Sequence, residues 1–269
     1  MAHTSRIFVG MGGWSYKPWR ETFYPPEVKV KDELSYASRQ VTAIEINSTF
    51  YGLQKPAVFA KWRDATPEEF KFSLKAPRFT TQRKVLAEAA SSIDKFIASG
   101  IEELRDKLGP IVWQLAPTHH FEATDLEAFL DLLPEKVNGR RLRHALNVRH
   151  ASFQDIAFIE LAKRHHTAVV FEDDAMHPAI ADVTADFVYA RLRRSVASET
   201  TGYTKSALKK WADRATTWSQ GESPKDLPLL ADTNDSKKAR DVFVYFINGA
   251  KERAPAAAGE LIEILVTRL

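Results

Sequence analysis

Cysteine is absent from the 269 residues of this sequence. Disulfide bonds, thiolate nucleophiles and cysteine metal ligands are therefore excluded. No apolar run reaches the roughly 18 residues of a membrane-spanning helix, so we expect no membrane association. No secretory signal, with its short apolar core, precedes the first predicted strand. We therefore expect a cytoplasmic protein.

The glycine motifs of nucleotide and hydrolase chemistry are also missing. There is no phosphate-binding P-loop, no Gly-x-Gly-x-x-Gly motif and no Gly-x-Ser-x-Gly elbow. Oxidoreduction with a nucleotide cofactor is disfavoured, and we predict no cofactor. Neither sign of charge is in large excess. The 38 Lys and Arg and the 35 Asp and Glu give a net charge of +3. The bulk charge therefore does not indicate a nucleic-acid binder.

The main positive signal is a series of short apolar runs typical of buried parallel strands. Helical patterns lie between most of them, the longest over Leu86–Leu108. This alternation predicts an α/β fold with right-handed crossovers. The length is close to the roughly 250 residues of a TIM-like (β/α)8 barrel. We therefore predict one domain over residues 1–269, a closed parallel sheet with outer helices, and a surface excursion at 219–235. The predicted strands are Ile7–Gly12, Ala43–Ile46, Lys71–Lys75, Ile111–Leu115, His144–Val148, Ala168–Glu172, Phe187–Ala190 and Val242–Phe246.

Polar residues follow the apolar runs at their carboxyl ends. In the second run, Ile44 and Ile46 would face one way, and Glu45 and Asn47 the other. Active sites of such barrels form at the carboxyl ends of the strands. We predict Glu45 and His150 as catalytic candidates. The predicted ligand-binding residues are Trp14, Tyr16, Asn47, Tyr51, Lys75, Gln114, Asn147, Arg149, Asp173, Arg191, Arg193 and Asn248.

Two interpretations of Glu45 stay open. A carboxylate inside a barrel needs a cationic or donor partner, for which Lys75, Arg149 and Arg191 are candidates. Glu45 is then either a general base or substrate anchor, or part of a structural layer of ion pairs. His150 is similarly either an acid/base or ligand, or a hydrogen-bonded structural residue.

An anion site is predicted between the loops after the last two strands. Arg191–Arg194 follows the seventh strand and Asn248–Arg253 follows the eighth, where barrels of this kind often bind phosphate. The planar arginine fork suits phosphate, and Gly249 would let backbone amides approach an anion. A solvated basic patch explains the same residues equally well.

A metal site is disfavoured. Asp173, Asp174, His177, His150 and Glu45 lie near the predicted rim, but no spacing of metal ligands is recognisable among them. We predict no metal. Glu172-Asp173-Asp174, at the end of the sixth strand, is interpreted as a strand end and loop solvated by water.

A series of short segments, spread over almost the whole chain, forms a recognisable set of motifs. They are Gly12-Gly13-Trp14-Ser15-Tyr16, Phe23-Tyr24-Pro25, Glu45–Tyr51, Lys75-Ala76-Pro77-Arg78, Lys107-Leu108-Gly109-Pro110, Gln114-Leu115, Arg149-His150 and Ala185-Asp186-Phe187-Val188-Tyr189. These segments resemble the bacterial family known as domain of unknown function 72 (YecE-like). The resemblance implies a TIM-barrel-like fold and no established reaction.

The chain departs from the family pattern at the rim. Asn147 stands where the family usually has Glu, and Gln82 and Arg193 stand where His is common. Ile247 and Gly249 interrupt an Asn-Asn-Asp segment. These departures remove acid/base and metal-ligand groups, so the sequence leaves open whether the chain is an enzyme, be it hydrolase, lyase or isomerase.

Three functional hypotheses follow. The first is a protein that binds, and in an active form transforms, a small anionic or phosphorylated metabolite at the carboxyl face of the barrel. The second is a nucleic-acid-binding or processing protein, in which Trp14 or Tyr51 stacks on a base. The third is a binding protein that has lost catalysis. A closed pocket would favour the metabolite, and an open basic groove would favour nucleic acid.

Overall fold

The predicted apolar runs form the strands of a closed barrel. The computed structural model describes residues 6–231 and 237–267. Each strand pairs in parallel with its sequence neighbours, and β1 pairs with β8. The predicted TIM-like barrel is confirmed. The barrel strands are β1 Ile7–Gly12, β2 Ala43–Ile46, β3 Lys71–Lys75, β4 Leu108–Gln114, β5 His144–Asn147, β6 Ala168–Asp173, β7 Phe187–Leu192 and β8 Asp241–Phe246.

Helices and short turns of helix surround the barrel. A small antiparallel hairpin, Lys136–Val137 with Arg140–Arg141, precedes β5. Within residues 6–231 and 237–267, no helix is long and apolar enough to cross a membrane. The α-helices are Trp19–Thr22, Glu33–Gln40, Ser48–Tyr51, Pro56–Asp64, Arg78–Thr81, Ala90–Ile97, Ala123–Asp131, Ile156–Arg164, Lys205–Ser219 and Ala254–Val266. The 3-10 turns are Val30–Asp32, Leu86–Ala89, Ile101–Lys107, Ala151–Phe153 and Lys251–Arg253.

Alternate side chains of each strand face either the helices or the barrel interior, as strand geometry requires. In β2, Ile44 and Ile46 join the large apolar core beneath the helices, whereas Ala43 joins a second cluster inside the barrel. Aromatic rings fill that inner cluster. The rings of Phe8 and Phe243 stack with centroids 4.9 Å apart. The lower barrel is therefore a packed core, and space for a ligand remains at its carboxyl end.

The predicted long helix over Leu86–Leu108 is wrong. It is divided into a 3-10 turn, the helix Ala90–Ile97 and a second 3-10 turn, Ile101–Lys107. Gly100 adopts φ +105°, a left-handed conformation that ends the α-helix. A Cβ at Gly100 would lie 2.6 Å from the Cα of Pro56. The apolar residues of Leu86–Leu108 are spaced as in a helix, but the close contact of Gly100 with Pro56, a distant residue in the sequence, interrupts the helix.

The predicted surface excursion at 219–235 is tied to the connection between β6 and β7. The backbone amides of Leu230 and Ala231 each donate a hydrogen bond of 2.9 Å to the carboxylate of Asp182. The amide of Ala181 donates to the carbonyl of Pro228 at 3.0 Å. Positions 232–235 of this segment lie outside the described residues.

Substitution of Gly10 by alanine tests the closeness of the strands. A Cβ at Gly10 would lie 1.8 Å from the carbonyl oxygen of Ala43 in the neighbouring strand. We expect Gly10→Ala to lower the free energy of unfolding by about 3 kcal/mol or more, measured by urea denaturation. The control is Gly259→Ala in the helix Ala254–Val266, where a Cβ meets nothing within 4 Å. It should raise stability by about 0.5–1 kcal/mol, since alanine favours helix. Unchanged stability of Gly10→Ala would contradict this packing.

Candidate functional site

A cavity of about 580 Å³ lies at the carboxyl end of the barrel. Side chains at or just after the ends of β1 to β8 line it. Nine of the predicted site residues are in the lining: Trp14, Glu45, Asn47, Tyr51, Lys75, Gln114, Arg149, Arg191 and Asn248. The cavity is also lined by Gly12, Gly13, Ser15, Trp19, Ile46, Ser48, Phe50, Gln82, Glu172, Phe246, Ile247, Lys251 and Ala254.

A buried ion pair between Glu45 and Arg191 forms the floor of this cavity. The Nε and Nη2 atoms of Arg191 donate to the two carboxylate oxygens of Glu45, each at 2.8 Å. The hydroxyl of Tyr189 also donates to Glu45, at 2.6 Å. The Nη1 atom of Arg191 donates to the side-chain oxygens of Asn147 and Gln114, at 2.8 and 3.1 Å. Both oxygens of Glu45 are thus occupied, which favours the structural ion-pair layer over a general base.

Burial and neighbouring charges determine the protonation states of Arg191 and Tyr189. The side chains of Glu45 and Arg191 are 0% and 2% exposed. Burial alone would lower the pKa of Arg191, but the adjacent Glu45 carboxylate outweighs it and raises that pKa above its usual value. Burial, with Glu45 nearby, raises the pKa of Tyr189 well above 10. Arg191 therefore stays charged, and Tyr189 stays a neutral hydrogen-bond donor.

A second cluster of charges surrounds Glu172, which is buried. Its Oε1 atom accepts hydrogen bonds from Arg149 at 3.1 Å and from Arg193 at 3.2 Å, and lies 3.8 Å from Nη1 of Arg191. Burial would raise the pKa of Glu172, but these three arginines lower it below its usual value. The interpretation of Glu172 as part of a solvated strand end is wrong, because it faces the barrel interior as the alternation along β6 requires.

Several polar atoms in this second cluster are buried without a partner among the described residues. They are Oε2 of Glu172, Nε of Arg149, Nε of Arg193 and Nδ2 of Asn147. Buried polar groups in folded proteins are usually hydrogen-bonded, so each such atom calls for an explanation. Here they cluster at one side of the cavity, where Arg149 and Glu172 are part of its lining.

Lys75 extends from the end of β3 into the same cavity. Its Nζ atom lies 3.8 Å from the ring centroid of Phe50. It makes no hydrogen bond or ion pair with any residue in 6–231 or 237–267. Burial, together with the positive charge of Arg191, lowers the pKa of Lys75 to about 8. Lys75 is thus a half-buried amine that is free to meet a ligand.

Some of the predicted site residues lie away from the cavity lining. Asp173 is on the opposite face of β6 from Glu172, and its carboxylate lies 3.0 Å from Nε of Arg194. The ring of His150 lies against that of His120, tilted by 38°, with centroids 3.7 Å apart. The Nδ1 atom of His150 lies 2.9 Å from the hydroxyl of Ser152. These contacts favour the structural interpretation of His150.

Three other predicted site residues lie outside the lining and contact residues that belong to it. Asn147 is buried against Arg191, as described above, and Arg193 joins Glu172 to Asp174. Tyr16 packs edge-on against Trp19, with ring centroids 5.5 Å apart, and the amine of Lys251 lies over its ring. These three residues do not line the cavity themselves, but they help to position the charged groups and rings that do.

The loops after β7 and β8 do not form the open phosphate cradle that their sequence suggested. Gly249 has φ +61°, and a Cβ there would lie 2.7 and 2.8 Å from the carbonyl oxygens of Ser195 and Arg193. Carbonyl oxygens therefore crowd this glycine, and they would repel an anion. The arginines at the end of β7 and in the loop after it are held by carboxylates: Arg191 by Glu45, Arg193 by Glu172 and Asp174, and Arg194 by Asp173.

One group of possible metal ligands is present in the described part of the chain. Ligand atoms of Glu172, Asp174 and His177 lie within 4.8 Å of one another. The guanidinium of Arg193, however, already contacts both carboxylates, at 3.2 and 2.6 Å. Three arginines around Glu172 oppose a divalent cation electrostatically. The group fits an arginine-bridged ion cluster better than a metal.

Comparison with known proteins shows the family of the chain. A family model described as "Protein of unknown function DUF72" matches residues 8–268. The chain belongs to the DUF72 family. The resemblance inferred from its sequence segments is confirmed, and the family description assigns no reaction.

Curated DUF72 relatives match part of the chain. The UPF0759 protein YecE of Escherichia coli K12 is 29% identical over 150 residues, which are 55% of this chain and 50% of YecE. The UPF0759 protein YunF of Bacillus subtilis is 31% identical over 70 residues, 26% of this chain and 24% of YunF. The match thus spans about half the length of YecE, and about a quarter of YunF.

Crystal structures of DUF72 proteins match the fold over nearly the whole chain. A DUF72 family protein of Thermotoga maritima has a TM-score of 0.74 at 21% identity and covers 97% of this chain and 99% of its own. A DUF72 family protein of Enterococcus faecalis has a TM-score of 0.68 at 17% identity and covers 99% of this chain and all of its own. At this identity the likeness bears on the fold.

Some lining residues of this DUF72 protein were not predicted as site residues. Phe50 lies in the short helix after β2, Trp19 in the helix after β1, and Lys251 in the turn after β8. The signal available for Phe50 was its place directly after the polar end of β2. Trp19 and Lys251 offered a weaker signal, because they reach the cavity only through the packing of their loops.

Breaking the Glu45–Arg191 pair tests whether it holds the barrel together. Glu45→Met and Arg191→Met should each lower the free energy of unfolding by about 3–5 kcal/mol, since each leaves a buried charge unpaired. The double variant should lose less than the sum, measured by urea denaturation as a double-mutant cycle. Tyr189→Phe, which removes one hydrogen bond and no charge, should cost about 0.5–1.5 kcal/mol. Additive effects of the two methionine substitutions would show that the pair does not couple.

Proposed function

We propose that this DUF72 protein binds a small organic anion in the cavity, with Arg149 and Lys75 holding the charged group. The volume of about 580 Å³ lies within the range of small-molecule sites, about 300–1,000 Å³. Carboxylate and phosphate groups both match these donors, since arginine and lysine bind both.

One observation carries this proposal: the carboxylates of the lining are already neutralised, while cations of the lining keep unused donors. Glu45 is paired with Arg191, and Glu172 is shared by several arginines. Arg149 makes one hydrogen bond, to Glu172, and the amine of Lys75 makes none with the described residues. Lys251 adds a further positive charge to the lining. The cavity therefore has an excess of positive charge.

Aromatic side chains give the cavity an apolar side. Trp14, Phe50 and Tyr51 line it, and Tyr51 is 70% exposed, so its ring is accessible to a ligand. An aromatic or aliphatic part of the ligand could pack against these rings. A small molecule with one anionic end and one apolar end fits this arrangement.

Nucleic acid at the same rim is the second candidate, and the pairing of the rim arginines Arg191, Arg193 and Arg194 with carboxylates disfavours it. The arginines of the opposite face are paired as well. The arginines before β5 would be available to phosphates only if they were free. Each is instead paired with a carboxylate: Arg140 with Asp106, Arg141 with Asp186 at 2.6 Å, and Arg143 with Asp241 at 2.7 Å. Paired arginines carry little net charge towards a nucleic-acid backbone, so the small anion is the better-supported ligand.

Thermal stabilisation tests anion binding. Inorganic phosphate, pyruvate and glyoxylate are titrated separately into the protein, and we expect at least one of them to raise Tm. Binding at about 100 times Kd adds about 2.7 kcal/mol, enough for a shift of several degrees. Arg149→Met should abolish the shift by removing the anchor.

The matched control is Arg194→Met, which removes an arginine that pairs with Asp173 outside the cavity and should keep the shift. Labelled single- and double-stranded DNA are tested in parallel at two salt concentrations. DNA binding with steep salt dependence, without stabilisation by any of the small anions, would support the nucleic-acid alternative instead.

A further inference from the structure

We propose that Lys75 forms a covalent imine with the carbonyl group of a small 2-oxo acid whose carboxylate is held by Arg149. This inference rests on the proposed function, because the anion site would deliver the carbonyl carbon to the amine. It adds the substrate class and a nucleophile to that site.

The position of Lys75 distinguishes it from Lys71 and Lys107, which are also partly buried. The amine of Lys107 donates to the backbone carbonyls of Arg63 and Thr66, at 2.5 and 2.7 Å, and that of Lys71 donates to the carbonyl of Asp106. These amines are used by the fold. The amine of Lys75 has no such acceptor among the described residues and enters the cavity at the end of a barrel strand. A free amine on a rigid strand end is well placed to attack a bound carbonyl.

The surroundings of Lys75 keep part of its amine neutral. Only the neutral amine is a nucleophile, and burial or a nearby cation increases its share. Burial first, and then the charges of Arg191 and Arg149, lower the pKa of Lys75 to about 8, against the opposing effect of Glu45 and Glu172. At pH 7 about a tenth of this amine is then neutral, compared with less than about a thousandth for an ordinary lysine.

The reaction needs no oxidant, reductant or metal. The amine lone pair forms a bond to the carbonyl carbon, and the electron pair of the C=O π bond moves to oxygen, which is protonated. The resulting carbinolamine loses its hydroxyl group as water after a second protonation, leaving a protonated imine. One ammonium and one carbonyl thus become one iminium and one water. The positive charge stays at Lys75, so the charge of the cavity does not change when the imine forms.

The aromatic ring beneath Lys75 fits this reaction. The face of Phe50 lies 3.8 Å from Nζ and attracts a cation through its ring quadrupole. Both the ammonium and the iminium carry that charge, so the ring is compatible with the amine before and after reaction. Apolar contact on this side also limits the access of water to the imine.

Reductive trapping tests the proposal. The wild-type protein is incubated at pH 7 with glyoxylate and sodium cyanoborohydride, which reduces the imine to a stable carboxymethyl-lysine. Peptide mapping by mass spectrometry then locates the modified residues. We expect Lys75 to be modified more than about tenfold faster than the exposed lysines, because each unit of pKa lowering raises the neutral fraction about tenfold.

Three variants sharpen the test. Lys75→Arg should abolish the fast modification, and Lys71→Arg, which changes a lysine at the other end of β3 and outside the cavity, should leave it intact. Arg149→Met should slow trapping of glyoxylate about tenfold more than that of acetaldehyde, because acetaldehyde has no carboxylate for this arginine to hold. The loss of the Arg149 charge, which lowers the pKa of Lys75, affects both aldehydes equally. A uniform slowing of both aldehydes would instead mean that Arg149 does not anchor the substrate.

The outcomes separate this inference from the proposed function. Anion-dependent stabilisation without fast modification of Lys75 would overturn the imine and leave anion binding standing. Modification spread evenly over exposed lysines would also overturn it, since that is ordinary surface reactivity. Because peptide mapping locates the adduct in the wild-type protein, the result does not depend on the folding of any variant.

Discussion

The ion pair between Glu45 and Arg191 is the interaction on which the arrangement of the site depends. It joins β2 to β7 across the interior of the barrel, above a layer of packed aromatic rings. A charge pair in such a place is tolerated only when its remaining hydrogen-bonding groups are satisfied. Tyr189, Asn147 and Gln114 supply those partners from three further positions. The pair therefore requires a closed barrel, and it sets the depth at which the core ends and the cavity begins.

Most of the arginines near the mouth of the barrel are needed by the protein itself. Arg191 is held by Glu45, and Arg193 by Glu172 and Asp174. Only after these pairs are accounted for can the cations with donors left for a ligand be identified, among them Arg149 and Lys75. This explains why a cluster of arginines in the sequence is a weak guide to the position of an anion site. The fold decides which arginines have carboxylate partners.

The sequence predicted the barrel because local patterns determine it. Period-two alternation in Ala43–Ile46 placed Glu45 inside, and the compact apolar runs placed all eight strands. It could not predict contacts between distant segments, such as the crowding of Gly100 by Pro56, which divides a helix, or of Gly249 by Ser195, which closes a loop. It also named Arg191 among the partners of Glu45 but could not choose between Lys75, Arg149 and Arg191. That choice depends on the stagger of the strands around the barrel.

A crystal structure of the protein grown with inorganic phosphate is the most direct test of this account. We expect an anion in the cavity within hydrogen-bonding distance of Nζ of Lys75 and of the guanidinium of Arg149, with the pair between Glu45 and Arg191 unchanged. An anion bound between the loops after β7 and β8, or one that displaces Glu45 from Arg191, would contradict the division between structural and ligand-binding cations.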